Sequence, residues 1–183
     1  MRERAFDPHR LDVRALAAAG AELAGEWPQA GFQRLGASTL ALADMALPVV
    51  VWAVRGELRP VLGGKPQLCL RVKARTSVRL ECQRCLMPMP QTIDIDRHFL
   101  FVRDEAEAAR LDEHSEEEVL VLAERLDLAE LVEDELILSL PLVPRHENCP
   151  QPLLAPEPAD ADADPAPHPF AALAALRGGT PSG

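Results

Sequence analysis

Apolar and polar residues follow two rhythms along this chain. One has period two, through the middle; the other has the 3.6-residue period of a helix. Period two is cleanest over residues 67–80. There Leu70, Val72, Ala74, Thr76, Val78 and Leu80 alternate with Arg71, Lys73, Arg75, Ser77 and Arg79. This alternation predicts a strand with one face on a core and the other in solvent. Residues 92–102 repeat it, with Ile93, Ile95, Phe99 and Phe101 on one parity and Asp94, Asp96 and His98 on the other. Residues 47–58 make a third strand. Val49, Val50, Val51, Trp52 and Val54 are apolar on both parities, which predicts a central place with both faces covered. Gly63-Gly64-Lys65-Pro66 reads as a turn. Short connections predict an antiparallel meander, left open or curled into a partial barrel.

Helical spacing appears at residues 11–26, through Leu11, Ala15, Leu16, Ala19 and Leu23, with Trp27-Pro28 as the stop. Residues 32–44 are ambiguous: Leu40, Leu42 and, beyond them, Ala46 alternate with smaller residues, as in a short strand. The best helix begins at Asp127, a natural N-cap, with Glu130 three residues on to complete a capping box. Its stripe is Leu128, Leu131, Val132, Leu136 and Leu140, widened by Ile137 and Leu138; Pro141 and Pro144 end it. Residues 104–118 are acidic and predict a solvated helix and loop, followed by a short strand over 118–123. Residues 1–10 predict a loose arm.

The expected fold is α+β: a small antiparallel β-sheet or partial barrel with packed helices and a disordered C-terminal tail. Residues 1–150 form a single domain in this reading. Residues 151–183 form a flexible tail rich in Pro, Ala and Asp, with a short amphipathic helix near 169–177.

Composition narrows the function. The net charge is −10, and a protein that binds nucleic acid over its whole surface is basic. Any RNA contact must be local or made through a partner. The one concentrated basic feature is the row Arg71, Lys73, Arg75 and Arg79, with Arg84 beyond it. A period of two puts the first four on one side of a sheet, where they would follow a phosphate backbone. The plain alternative is pairing with Asp94 and Asp96 across the strands. No aromatic residues interleave with the cations, which disfavours a base-stacking platform. The N-terminus lacks a secretory apolar region, and the longest apolar run, 46–54, is too short to span a bilayer. The expectation is a cytoplasmic protein with no membrane association and no small-molecule substrate.

Four cysteines occur, at 69, 82, 85 and 149. Cys82-Gln83-Arg84-Cys85 sits between two strands. Two thiolates on such a turn suit one tetrahedral zinc ion, which usually needs a second donor pair. His146 and Cys149 offer one, although sixty residues, 86–145, intervene. The alternatives are thiol-redox chemistry or redox sensing by the Cys82/Cys85 pair, and a purely structural corner. A redox pair belongs at a helix N-terminus, whereas Pro88 and Pro90 follow here. Cys69 has no neighbouring partner. Glu133-Asp134-Glu135, in mid-helix, reads as a solvated face. No catalytic constellation emerges, and a nuclease is disfavoured for that reason.

Four segments together resemble a known family: LECQRC (80–85) with Leu86 and Pro88, DLAELVEDELILSLPLVPRH (127–146) followed by Cys149, GELRPVLGG (56–64) and HPFAALAALR (168–177). The chain is similar to the YceD family, the large ribosomal RNA subunit accumulation proteins of bacteria and plastids. The resemblance implies a non-enzymatic role in the synthesis, processing or stability of 23S rRNA. The partner would be 23S rRNA or its precursor, reached directly or through a ribosomal or assembly protein. Family-like positions are Cys82, Arg84, Cys85, Glu133, Asp134, Glu135, Pro141, Pro144, His146 and Cys149.

Overall fold

The computed structural model describes residues 6–41, 48–113, 115 and 117–150. Five strands form one sheet in sequence order: β1 (Glu22–Pro28), β2 (Val49–Arg59), β3 (Gln67–Glu81), β4 (Pro88–Val102) and β5 (Glu118–Val121). The first four pair antiparallel, as the short connections predict. β5 pairs parallel with β4. A parallel return needs a crossover, and helix α3 (Glu105–Asp112) supplies it. The sheet is therefore mixed and open, with no closure into a barrel.

Alternation sets the two faces. Leu68, Leu70, Val72, Ala74, Thr76, Val78 and Leu80 of β3 are buried. They share a core with Val50, Trp52 and Val54 of β2, Ile93, Ile95, Phe99 and Phe101 of β4, and three helices. Those helices are α1 (Val13–Ala19), α2 (Gln33–Ala37) and α4 (Leu128–Leu138). Among the described residues, the opposite face is covered only at one end, where α3 brings Ala108 onto Cys69, Leu100 and Val102. Because the rest of that face is open, β2 is not covered on both sides as its composition predicts. Val49 and Val51 stay 40% and 46% exposed.

Three local expectations are corrected. Helix α1 ends at Gly20, whose φ of 56° forms a left-handed cap. Residues 22–26 then leave the helix and alternate as β1. The close approach of α1 is possible because β2 carries Gly56, where a Cβ would lie 2.6 Å from the Ala17 nitrogen. The arm is not loose over residues 6–10. Asp7 caps a 3-10 turn at Pro8–Arg10, and Leu11, fully buried, exchanges backbone hydrogen bonds of 2.8 and 3.0 Å with Leu126. Residues 33–37 form α2 instead of entering a strand; Leu42 and Ala46 lie outside the described residues.

Helix α4 is capped as predicted. Asp127 Oδ1 accepts from the backbone N–H of Ala129 at 2.9 Å and Glu130 at 3.3 Å. Its buried set differs: Leu128, Val132 and Leu136 are joined by Glu133 and Glu135, while Leu138 is 71% exposed. No helix among the described residues is long and apolar enough to cross a membrane. The expected tail, with its helix near 169–177, lies outside the described residues.

Candidate metal centre

The β3–β4 connection is a tight knuckle. Cys82 N–H donates to the Met87 carbonyl at 3.0 Å, and Leu86 N–H to the Cys82 carbonyl at 2.8 Å. Closing the chain this tightly puts Leu86 at φ 59°, a left-handed conformation that costs a leucine about 1 kcal/mol. The second loop leaves α4 through Pro141. Gln83 N–H donates to the Pro144 carbonyl at 2.9 Å and clasps the two loops together.

This clasp brings together four side chains that are far apart in sequence. Cys82 Sγ lies 3.9 Å from Cys149 Sγ, and Cys85 Sγ 3.4 Å from His146 Nδ1. One donor atom from each of the four residues falls within 4.8 Å of all the others. Zinc–sulfur bonds of about 2.3 Å in a tetrahedron imply sulfur–sulfur edges of about 3.8 Å, which the 3.9 Å between Cys82 and Cys149 matches. The cluster is of a kind that binds a metal ion.

The electrostatics suit a bound cation. Cys82 has no accessible surface. Burial opposes its ionisation, yet backbone N–H groups of His146, Cys85 and Arg84, with the His146 side chain, outweigh burial and bring the thiol down to about 5. Several donors converging on one buried sulfur stabilise a thiolate, the form that ligates metal. Cys85 is pushed the other way, first by burial and then by the sulfurs of Cys149 and Cys82, against a hydrogen bond from Met87. Arg84 closes the site. Its Nε donates to Cys149 Sγ at 3.0 Å, and its Nη2 to the carbonyls of His146 at 3.1 Å and Glu147 at 3.4 Å.

The basic row lies on one face of β3 as its alternation predicts, but it is largely compensated. Arg71 forks onto Asp96 at 2.8 and 2.6 Å, and Lys73 Nζ lies 3.4 Å from the same carboxylate. Arg75 meets Asp94 at 3.8 Å. Arg71, ahead of Lys73, brings Asp96 down to about 2 against the opposing effect of burial. Arg79 has no ion pair among the described residues, and Arg84 belongs to the cysteine cluster. Cys69 sits under α3 on the open-face side, 2% exposed, where burial raises its thiol. His98 lies on the open face of β4; His114 and His168 lie outside the described residues.

Glu133 and Glu135 are structural residues that sequence reasoning places in solvent. Glu133 Oε1 accepts from the backbone N–H of Arg34 at 2.7 Å and Leu35 at 3.1 Å, and Oε2 from Arg34 Nε at 3.0 Å. It caps α2 from another helix. Asp134 receives Arg34 Nη1. Glu135, with 3% of its side chain exposed, accepts from Arg97 Nε at 3.1 Å. A charged triplet in mid-helix carries no signal of this in sequence, apart from the phase that sets 133 and 135 near the apolar stripe.

Residues 70–177 match the family described as large ribosomal RNA subunit accumulation protein YceD. The chain is also 36% identical over 114 residues to a protein of Haemophilus influenzae that carries the same name. That match covers 59% of this chain and 64% of the relative, under two thirds of the relative's length. No solved structure matches the chain.

Proposed function

Because the chain belongs to the YceD family, we propose that it acts in the cytoplasm as a non-enzymatic factor supporting 23S rRNA during biogenesis of the large ribosomal subunit. The relative's name describes accumulation of large-subunit ribosomal RNA, and synthesis, processing or stability of that RNA are the steps that would govern it. The observation that carries this reading is where the match falls. Residues 70–177 contain the Cys-x-x-Cys knuckle, α4 and the loop bearing His146 and Cys149.

Within this reading Cys82, Cys85, His146 and Cys149 hold one structural zinc ion. Three sulfurs and an imidazole are a donor set that suits zinc in closed sites. When bound, the ion supplies a cross-link between the β3–β4 knuckle and the loop after α4. Arg84 orients Cys149 and offsets the thiolate charge, as the outer partners of metal ligands commonly do.

The contact with the ribosome runs chiefly through protein. Asp94 and Asp96 already occupy most of the row formed by Arg71, Lys73, Arg75 and Arg79, so it offers limited free charge to phosphate. A thiol-redox role for Cys82 and Cys85 has one point in its favour, the lowered Cys82 thiol. It is the weaker reading, since Cys82 has no accessible surface and the pair turns between strands instead of opening a helix.

The test is genetic. Deleting the gene is expected to lower the ratio of 23S to 16S rRNA, with the wild-type chain restoring it and Cys82→Ser failing to do so. An unchanged ratio in the deletion strain would sink the proposal.

A further inference from the structure

Leu86 is the only residue other than glycine with a positive φ among the described residues. Glycine takes this conformation without strain, so the leucine does not serve the turn. Nor does it serve the core, because its side chain is 67% exposed. Met87, next to it, is 37% exposed. From the other loop Leu142 and Val143 stand 95% and 49% exposed. Single apolar residues on a surface are ordinary. Four on two loops clasped by the Gln83–Pro144 hydrogen bond, one of them held against its backbone preference, are the kind of feature that marks an interaction surface.

We propose that this tip docks a basic protein, which receives Leu86 and Leu142 in an apolar pocket. Charge argues for that occupant. The chain carries −10, and Glu81 and Glu147 are exposed beside the tip. Arg84 is taken up by Cys149 and two carbonyls, which leaves Arg145 as the loop cation without an ion pair among the described residues. A phosphate backbone needs more free cations than this, and a second copy of the chain would bring a like charge. A basic surface around an apolar pocket complements both the net charge and the leucines. That this protein belongs to the large ribosomal subunit rests on the functional reading above.

The test uses the full-length, metal-loaded chain with a photo-crosslinking amino acid in place of Leu142. The probe is total protein extracted from purified large ribosomal subunits and freed of RNA; intact subunits are irradiated in parallel. The expected result is a crosslink to one or a few basic proteins, reduced at least tenfold when Leu86→Gly is also present. Leu86→Gly relieves the turn, so metal content is unchanged and the melting temperature is equal or higher, which removes misfolding as an explanation. Crosslinks only between copies of the chain, crosslinks only to RNA, no crosslink, or a yield indifferent to Leu86→Gly each overturn the proposal. The two readings fail separately. If Leu86→Gly restores 23S rRNA as fully as the wild-type chain, the docking surface falls and the rRNA role stands. If deletion leaves 23S rRNA unchanged, the rRNA role falls and the crosslink alone decides the surface.

Discussion

Glu133 shows how one side chain can complete an element elsewhere in the sequence. Helix α2 has no cap of its own: the side chain of Phe32 accepts nothing, and Arg34 and Leu35 N–H groups point at a carboxylate from α4. Glu133→Ala leaves these donors unpaired at a buried site and is expected to cost about 3 kcal/mol in urea unfolding. Glu133→Gln, which keeps an acceptor, should cost clearly less. Two other carboxylates act oppositely with pH. Asp96 is held down to about 2 by Arg71 and Lys73, so it contributes stability above its unfolded value of about 3.9 and loses it as pH falls toward 2. Glu135 is raised by burial and then by Glu118, against Arg97. Its contribution is fully present below about 4.3 and is lost as pH rises through the raised value. Unfolding at pH 3, 5 and 7 should therefore show Glu135→Gln stabilising at pH 7 but not at pH 3. Asp96→Asn should flatten the acid limb only slightly, because that pair is about 40% exposed and screened.

At the scale of elements, β3 and the inner residues of β4 are legible because alternation over many positions admits few other readings. The cap of α4 is legible because Asp127 acts within its own turn. The run 11–26 misleads because Leu23 fits both a helical stripe and the inward parity of a strand. Gly20 and the pairing of Leu23 with Val54 and Trp27 with Val50 decide it. Gly56 likewise carries no meaning until α1 is laid across it. With the Ala17 nitrogen 2.6 Å and the Leu16 carbonyl carbon 2.8 Å from an added Cβ, backbone itself has to move. Gly56→Ala is expected to destabilise by about 3 kcal/mol, read as a fall in melting temperature, with the amides of α1 the first to exchange hydrogen. The parallel β5 is the least legible: residues 118–121 predict a strand, but direction depends on the crossover through α3.

For the molecule as a whole, the cysteine cluster joins the end of the sheet to the chain that follows α4. Removing metal with a chelator is expected to release one zinc per chain, lower the melting temperature, and open the exposed Arg145 to trypsin. Far-ultraviolet circular dichroism should change little, because Cys82 is the one cluster residue buried in the core under β2, β3 and β4, and the other buried core residues come chiefly from the strands and helices. An unchanged melting temperature and unchanged trypsin resistance in a metal-free chain would refute a structural metal. The sequence by itself determined which residues alternate, where α4 begins, and that two short loops each carry a pair of metal-ligating side chains, because each of these depends on near neighbours along the chain. Tertiary structure alone decided that residues 82–85 meet 146–149, that Asp94 and Asp96 answer the row of cations, and that Glu133 caps a distant helix. Those outcomes depend on strand register and on the direction in which α4 returns. Both are settled by burial summed over the sheet, which no short stretch of sequence encodes.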